Sequence, residues 1–331
     1  GDPALLLHTN ALFASLREKL HKGWFDALLR DLFAAAPVEV IQVPTLPQKE
    51  EKAGTIRTDG KLVLDHPLTV ADLGEGEKSA AGTEETIAGA ALLRHPSKGS
   101  LYLNFYYDVG DLTPEEMQYL DLLTDVLDEL DTPKHTAREL NTLRSTWLGD
   151  SRAAVALWTG RQEGNPCHTK LVLNLSLLER SLEKAIELGG EWLYETQLTG
   201  PKAEAAFARV LSQQKLNMEQ RFIQNGNSYA AIRASAHYSV EYALSERISG
   251  VTGYHFLCDL LKMADWQAMG QKLEALRAKV LDHAQLTISL HGSEEAAAKL
   301  KELLPGSVFA SESRGAAHPY TETLPAPVNE A

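Results

Sequence analysis

Residues 213–260 predict three consecutive helices, and no other stretch constrains the fold of this 331-residue chain as strongly. Apolar residues recur along it at helical spacing. The Asn-Gly-Asn of residues 225–227 predicts a left-handed C-cap of the first helix, and Ser228 fits the N-cap of the second. Several alanines keep the second helix thin, and we expect it to run on to Leu244. The Ser-Gly-Val-Thr-Gly of residues 249–253 predicts a break before the third helix.

The rest of the chain mixes strand and helix signals without a regular strand–helix–strand alternation. Strands are predicted at residues 90–93, 101–109, 152–159, 169–176, 285–291 and 307–310. The first two of these would form a β-hairpin. Thr113 with Glu116, and Thr136 with Glu139, form capping boxes that predict the starts of two helices. This order predicts an α+β fold, with an antiparallel or mixed sheet and helices packed on one face.

Composition argues against several classes of function. The chain carries 45 acidic and 32 basic residues, a net charge of −13, which argues against nucleic acid as a partner. No apolar run reaches the roughly 18 residues of a membrane-spanning helix, so no membrane partner is expected. Cys167 and Cys258 are the only cysteines, too few for a disulfide framework. Few cysteines and the absence of a leader pattern predict a cytoplasmic protein, which we expect to be bacterial.

The eleven histidines do not form a catalytic zinc motif. A helix that holds zinc through two histidines places them four residues apart, and no pair in this chain has that spacing. A Gly-x-Ser-x-Gly elbow and a phosphate-binding loop are also missing from the sequence. Asp282, His283 and His291 either approach one another across a helix–strand junction or serve as a cap and two surface imidazoles. We predict no catalytic residue and no metal ligand within this chain.

Five side chains are candidates to line a cavity. Tyr102 and Tyr106 alternate with the apolar residues of a strand, so they share its other face. They either form aromatic pairs across the sheet or face a cavity. Arg233 is the one charge on a face of small residues, and it either forms a structural ion pair or reaches a ligand. His237 and His255 flank the central turn, where they either pack against neighbours or line a wall.

The central helices carry a resemblance to a known family. A long charged helix, a Gly/Asn break, an alanine-rich helix with an arginine, and the pattern S-G-x-x-x-Y-x-F-L at residues 249–257 follow one another. Together they resemble the associated domain in the C-terminal half of insulinase/pitrilysin-type zinc metallopeptidases, in the presequence-protease (falcilysin-like) branch. Residues 99–130 resemble that domain's first strand and helix, and residues 136–158 its next helix and strand. The resemblance implies the fold shared by pitrilysin and mitochondrial processing peptidase.

The resemblance also implies how the chain is divided. Residues 1–47 would be a helix pair, separated at Gly23, and a strand at residues 38–43, from the end of a preceding peptidase domain. Residues 48–87 are charged at their start and then punctuated by glycines, so their composition predicts a linker, and residues 88–311 would be the peptidase-associated α+β domain. Residues 312–331 would be an extended linker to a final domain that this chain does not include.

In the resembled family, two halves of the protein close around a chamber that admits unfolded peptides, and a zinc ion in the first half activates the water that cleaves them. We therefore expect this chain to be a non-catalytic wall domain of a zinc metalloendopeptidase, inactive alone and without a cofactor of its own. Its partners would be the remaining domains of the polypeptide and unfolded peptides, with Tyr102, Tyr106, Arg233, His237 and His255 lining the chamber. The alternative is a non-catalytic scaffold or peptide-binding protein of the same fold family.

Overall fold

The computed structural model describes residues 9–34, 82–97, 99–159, 166–311 and 314–326. The chain divides into two compact units, Gly1–Glu75 and Gly76–Ala331. In the first unit, helix α1 (Thr9–His21) and helix α2 (Trp24–Ala34) are separated at Gly23, whose φ of 67° lies in the left-handed region that glycine tolerates. The predicted division at Gly23 is confirmed. The strand predicted at residues 38–43 lies outside the described residues.

The second unit is built on a six-stranded mixed sheet. Its strands are β1 (Thr83–Ile87), β2 (Ala90–Pro96), β3 (Leu101–Asp108), β4 (Leu148–Thr159), β5 (Cys167–Leu177) and β6 (Leu286–Gly292). Their spatial order is β1-β2-β6-β3-β5-β4. Strands β2 and β6 run parallel, and the other neighbouring pairs run antiparallel. The fold is therefore α+β with a mixed sheet, as the order of elements predicted.

Helices cover one face of this sheet. They are α3 (Pro114–Val126), α4 (Ala137–Trp147), α5 (Leu182–Gly190), α6 (Pro201–Ser235), α7 (Val240–Ser249), α8 (Val251–Met263), α9 (Trp266–His283) and α10 (Glu294–Leu303). Along β3, Leu103, Phe105 and Tyr107 are fully buried, whereas the alternating residues from Tyr102 to Tyr106 stay partly exposed. The sheet therefore has one face in the core and one face that is open.

The predicted hairpin between the strands at residues 90–93 and 101–109 is wrong, although both strands exist. Strand β6 lies between β2 and β3 and pairs with both of them. Ile288 and Leu290 of β6 are almost fully buried, which places this strand in the middle of the core. The short connection between β2 and β3 predicted that these strands pair with each other. It could not reveal β6, which follows about 180 residues later in the chain and inserts between them.

The tight hairpin of this sheet joins β1 to β2. Its two turn residues, Ala88 and Gly89, have φ angles of 50° and 79°, as a two-residue type I′ turn requires. That turn matches the right-handed twist of the strands on either side. Strand β1 lies within residues 48–87, which the sequence predicted as linker, so the sheet begins before residue 88.

The breaks between the central helices match the predicted ones in part. At Asn225 the backbone (φ −130°, ψ 30°) leaves the helical region, so the predicted interruption exists as a kink within α6, but the predicted left-handed cap is wrong. Helix α6 ends at Ser235 and α7 begins at Val240, so the second predicted helix does not run on to Leu244. The break predicted at residues 249–253 is confirmed, because Gly250 separates α7 from α8. Packing against α7, α8 and α9 supports α6.

The strand predicted at residues 307–310 is also wrong. A 3-10 turn at Leu304–Gly306 is followed by further turns, and Phe309 inserts into the core. Its ring stacks on Phe105 with 4.0 Å between the ring centroids. Here the apolar pattern marked burial of a side chain and not an extended backbone. Beyond it, Tyr320 is buried and its N–H donates to the carbonyl of Cys167 at 2.8 Å.

Both predicted capping boxes are confirmed. The Thr113 hydroxyl accepts a hydrogen bond from the N–H of Glu116 at 3.2 Å, and the Glu116 carboxylate accepts one from the N–H of Thr113 at 2.8 Å. Thr136 and Glu139 repeat this arrangement at the start of α4. Each box satisfies N–H groups that a helix start leaves without a partner, which is why these helix starts could be predicted.

Replacing the N-cap Thr113 with alanine is expected to lower the free energy of unfolding by about 1 kcal/mol, because an N–H of the first turn of α3 loses its acceptor. Urea unfolding measures the effect. The matched control is Thr142→Ala within α4, where alanine is the better helix former and the stability should not fall. Equal losses in the two variants would contradict a capping role for Thr113.

Candidate functional site

The open face of the sheet brings polar side chains of three neighbouring strands into one row. In the register of the sheet, Tyr102 of β3 lies opposite Ser176 of β5 and His291 of β6. Asn104 lies opposite Asn174 in the same way. Side chains directly opposite each other share a face, so this row stands on the side that the helices leave open.

A shallow hollow of about 430 Å³ lies around Tyr102 on this open face. It is lined by Tyr102, Asn104, Asp150, Asn174, Leu175, Ser176 and His291. Tyr102 itself is 50% exposed. Amide and hydroxyl groups can both donate and accept hydrogen bonds, which is what a polypeptide backbone needs from a partner. The hollow can therefore bind a polar chain through hydrogen bonds and contact with the tyrosine ring.

Tyr106 lies on the same face of the sheet, two residues beyond Asn104 along β3. Its ring meets that of Trp158 on β4 edge-to-face, with 6.0 Å between the ring centroids. Burial raises the pKa of Tyr106, and a hydrogen bond with Asn104 partly offsets this. The phenol therefore stays neutral at physiological pH. The structure brings Tyr102 and Tyr106 together on one open surface, where the alternation of β3 predicted them.

A stacked pair of histidines beside the hollow was not predicted. His95 of β2 lies opposite His291 of β6, and their ring centroids are 4.5 Å apart. Burial lowers the pKa of His291, and the neighbouring His95 lowers it further. A neutral imidazole offers one donor and one acceptor to a bound chain. Only the parallel pairing of β2 with β6 reveals this pair, and local sequence patterns do not contain that pairing.

The other three predicted residues lie on the helical side of the sheet. Arg233 donates from Nη1 to Oε1 of the buried Glu246 at 2.8 Å, which is the structural ion pair of the two alternatives. His237 donates from Nδ1 to the carbonyl of Pro325 at 3.0 Å. His255 is exposed on α8. The five candidates therefore divide into two groups, and only Tyr102 and Tyr106 stand on the open face.

The structure keeps His283 and His291 apart. His283 ends α9, and β6 starts at Leu286 and carries His291 near its far end. Five residues of extended strand span roughly 17 Å, so these imidazoles do not share a ligand. Among the described residues, no group of three His, Cys, Asp or Glu side chains is arranged to hold a metal ion. The residues that the structure describes therefore do not fit a catalytic zinc ion.

A family model decides which family the chain comes from. The model for the associated domain of M16 peptidases, subfamily C, matches residues 67–260, more than half of the chain. The chain belongs to this family of peptidase-associated domains. The matched residues include strands β1 to β5 and helices α3 to α7. The predicted resemblance to the associated domain of insulinase/pitrilysin-type peptidases is confirmed.

Two curated relatives match this peptidase-associated domain. Presequence protease 1, chloroplastic/mitochondrial, from Arabidopsis thaliana is 27% identical over 230 residues, which are 66% of this chain and 21% of that protein. Protein HypA from Clostridium perfringens (strain 13 / Type A) is 21% identical over 237 residues, 71% of this chain and 24% of that protein. The chain thus spans between a fifth and a quarter of the length of these relatives.

The fold also matches solved structures. A conserved protein from Enterococcus faecalis V583 superposes with a TM-score of 0.51 at 17% sequence identity. The match covers 72% of this chain and 55% of that one. A peptidase M16 inactive domain from Pseudomonas fluorescens gives a TM-score of 0.47 at 14% identity, over 75% of this chain and 54% of that one. At such identity, the match to the Enterococcus protein supports the fold alone.

Proposed function

We propose that this peptidase-associated domain forms a non-catalytic wall of the chamber in a zinc metalloendopeptidase that degrades unfolded peptides. The observation that supports this proposal best is the open sheet face, where Tyr102 and Tyr106 stand among amide and hydroxyl groups, with the carboxylate of Asp150 and the imidazole of His291 beside them. Hydrogen-bonding side chains suit a wall that contacts peptides of many sequences, because every peptide offers the same backbone donors and acceptors. Exposed aromatic rings add contact area with few rotatable bonds.

The catalytic zinc of the parent protein is proposed to lie outside this chain. No two histidines here have the four-residue spacing of a helical zinc motif, so the residues of this chain would enclose and orient the peptide and leave bond cleavage to another domain. One relative is a presequence protease by name, which supports a peptidase as the parent. The partners of this chain would be unfolded peptides and the remaining domains of the same polypeptide.

The N-terminal helix pair is proposed to be the end of a preceding peptidase domain. The matched family model starts at residue 67, after α1 and α2. Large apolar side chains on this pair are exposed: Phe13, Leu20, Leu28, Leu29 and Phe33. Such a row of apolar residues is typical of a segment that packs against more of its own domain. The linkers at residues 48–87 and 312–331 stay proposals, although residues 83–87 of the first form β1 and Tyr320 of the second is buried.

The cytoplasmic location stays a proposal. Within the described parts of the chain, no helix combines the length with the apolar character that crossing a membrane requires. The two cysteines, Cys167 and Cys258, do not form a disulfide. Reduced thiols suit a cytoplasmic compartment.

Cleavage of an unstructured, fluorescently quenched peptide tests the proposal. This chain and its full-length parent are each assayed with added zinc and then with a chelator. We expect the parent to cut the peptide, the chelator to stop it, and this chain alone to be inactive. If neither protein cuts but this chain binds the peptide, the scaffold alternative replaces the peptidase. Zinc-dependent cleavage by this chain alone would overturn both.

Within the full-length parent, Tyr102→Ala is expected to raise KM about 3- to 10-fold with little change in kcat, because it removes contacts made by both bound substrate and transition state. Steady-state kinetics with the quenched peptide measure this split. Tyr238→Ala is the matched control, since Tyr238 is 79% exposed but lies on the helical side. Identical KM values for the two variants would contradict substrate contact at the open face.

A further inference from the structure

Strand β4 forms a long free edge of the sheet. It stands last in the strand order, so it has a neighbouring strand on one side only, and it is 12 residues long. Edge strands expose backbone N–H and C=O groups that can pair with another chain, so folded proteins usually keep them short, charged or interrupted. The opposite edge strand, β1, is 5 residues long and carries two glutamates. The middle of β4, residues 153–157, contains no charge, proline or glycine.

Two hydrogen bonds establish which residues of β4 face away from the sheet. The N–H of Val109 donates to the carbonyl of Thr169 at 3.2 Å, so the odd-numbered residues of β5 direct their backbone groups towards β3. The even-numbered residues of β5 therefore bond to the even-numbered residues opposite them on β4. In agreement, the carbonyl of Ser151 accepts from Nη2 of Arg144 at 3.3 Å, outside the sheet. The odd-numbered residues of β4 thus face outward.

The outward residues in the middle of β4 are Ala153, Val155 and Leu157. Among the described residues, no strand or side chain bonds to their N–H and C=O groups. Their side chains lie on the core face but stay partly exposed, whereas the residues opposite them on β5, Leu173 and Leu171, are 0% and 1% exposed. The apolar core face therefore ends uncovered at this edge. One more strand would pair the backbone groups and cover the side chains.

A cavity on the helical side of the sheet gives such a strand room. Its volume is about 540 Å³, and Val155 and Leu157 line it together with residues of α3, α6, α7 and α8. Most of its lining is polar, and its charged members are two aspartates and two arginines: Asp121, Asp125, Arg152 and Arg221. These formal charges balance, so the cavity suits an uncharged chain better than an ion. The amides and hydroxyls among its lining can bond to a polypeptide.

We propose that β4 binds an extended peptide segment as a seventh strand of the sheet. Backbone hydrogen bonds to the outward groups of residues 153–157 supply the affinity, and alternate side chains of the peptide enter the cavity. The edge also adjoins the open face, because Asp150 of β4 lines the hollow around Tyr102. Helices α3 and α6 form the far walls of the cavity, so it admits a single strand about 5 Å from β4 and not the sheet of a second copy with its own helices. This site needs no zinc chemistry, so it holds for a peptidase wall and for a scaffold alike.

Amide hydrogen exchange of the whole chain, followed by NMR, tests the position of the added strand. The probe is a blocked peptide of about ten residues in which valine alternates with serine, roughly the length of β4. In the free chain, the N–H groups of Ala153, Val155 and Leu157 should exchange fast, and those of Ala154 and Ala156, which bond to β5, should be protected. Saturating peptide should slow exchange of the three outward groups about 10-fold or more.

Unchanged exchange of these three groups at millimolar peptide would overturn the proposal. Their protection before any peptide is added, together with a dimer in sedimentation, would also overturn it, because a second copy of the chain would then occupy the edge.

Two methylated peptides distinguish strand addition from other modes of binding. Methyl groups on every valine nitrogen, or on every serine nitrogen, remove one alternate set of backbone N–H donors. An added strand uses only one of the two sets to pair with β4. One methylated peptide should therefore bind about 10- to 100-fold more weakly, and the other should stay within about 3-fold of the parent peptide. Equal affinities of the two methylated peptides would contradict strand addition.

Val155→Pro removes an outward N–H that β5 does not use, and edge strands tolerate proline at such positions. Peptide affinity should fall about 10-fold or more, while circular dichroism shows an intact fold. Thr83→Pro, at the start of β1, places the same residue on the opposite edge and should leave the affinity unchanged. Equal affinities of the two variants would count against the site, and if Val155→Pro does not fold, the methylated peptides decide on the original chain. All of these measurements use binding to the chain alone, so they are independent of the peptidase activity of the parent.

Discussion

Asp121→Asn is expected to stabilise the chain by about 2 to 4 kcal/mol at pH 7. In the native state burial raises the pKa of Asp121 from its ordinary 3.8 to about 8. Between these pH values the native state therefore holds a proton that the unfolded chain has already released. The contribution of Asp121 to stability is complete below about pH 4 and is lost as the pH rises towards 8. Asparagine keeps the shape of the side chain and has no proton to lose, so its variant escapes this loss.

Urea unfolding of both proteins at acid, neutral and mildly alkaline pH measures this effect. The difference in free energy of unfolding between the original chain and Asp121→Asn should be small near pH 4 and should grow as the pH rises. Asp111→Asn is the control, because Asp111 is exposed and its loss removes the same charge. If Asp121→Asn and Asp111→Asn give parallel pH profiles, Asp121 does not hold a proton in the native state.

The fold class could be predicted because its signals are local. The capping boxes at Thr113 and Thr136 need only residues three positions apart, and the alternation along β3 needs only residues two positions apart. The same alternation put Tyr102 and Tyr106 on one face. The strand pairing could not be predicted in this way, because β6 enters the sheet between β2 and β3 from far along the chain.

The cavity of about 540 Å³ on the helical side shows the same limit. Asp121 and Asp125 of its lining are one turn apart on α3, and the rest of the lining comes from β4, α6, α7 and α8. The break between α6 and α7 at residues 236–239 lies inside the helix that was predicted to run on to Leu244, so the sequence did not indicate how these two helices pack.

Glu246→Ala is expected to lower the free energy of unfolding by about 3 to 5 kcal/mol, because it removes the buried carboxylate of an ion pair, which is also the acceptor of several N–H groups. Glu246 is 5% exposed, and its Oε1 accepts from Nη1 of Arg233 at 2.8 Å and from the N–H of Thr252 at 3.0 Å. Its Oε2 accepts from the N–H of Val251 at 3.2 Å. This carboxylate therefore caps the start of α8, where the helix dipole favours negative charge.

The geometry at Gly250, between α7 and α8, leads to the same expected loss of stability for a substitution there. A Cβ atom at Gly250 would lie 1.8 Å from Oε2 of Glu246, so Gly250→Ala must displace the carboxylate and lose the same hydrogen bonds.

Glu246→Gln keeps an acceptor and should lose less stability than Glu246→Ala, which separates the hydrogen bonds from the charge. Glu241→Ala on the same helix removes a surface carboxylate bonded to Thr159 and should cost under about 1 kcal/mol. If Glu246→Ala loses no more stability than Glu241→Ala in urea unfolding, Glu246 does not hold α7 and α8 together.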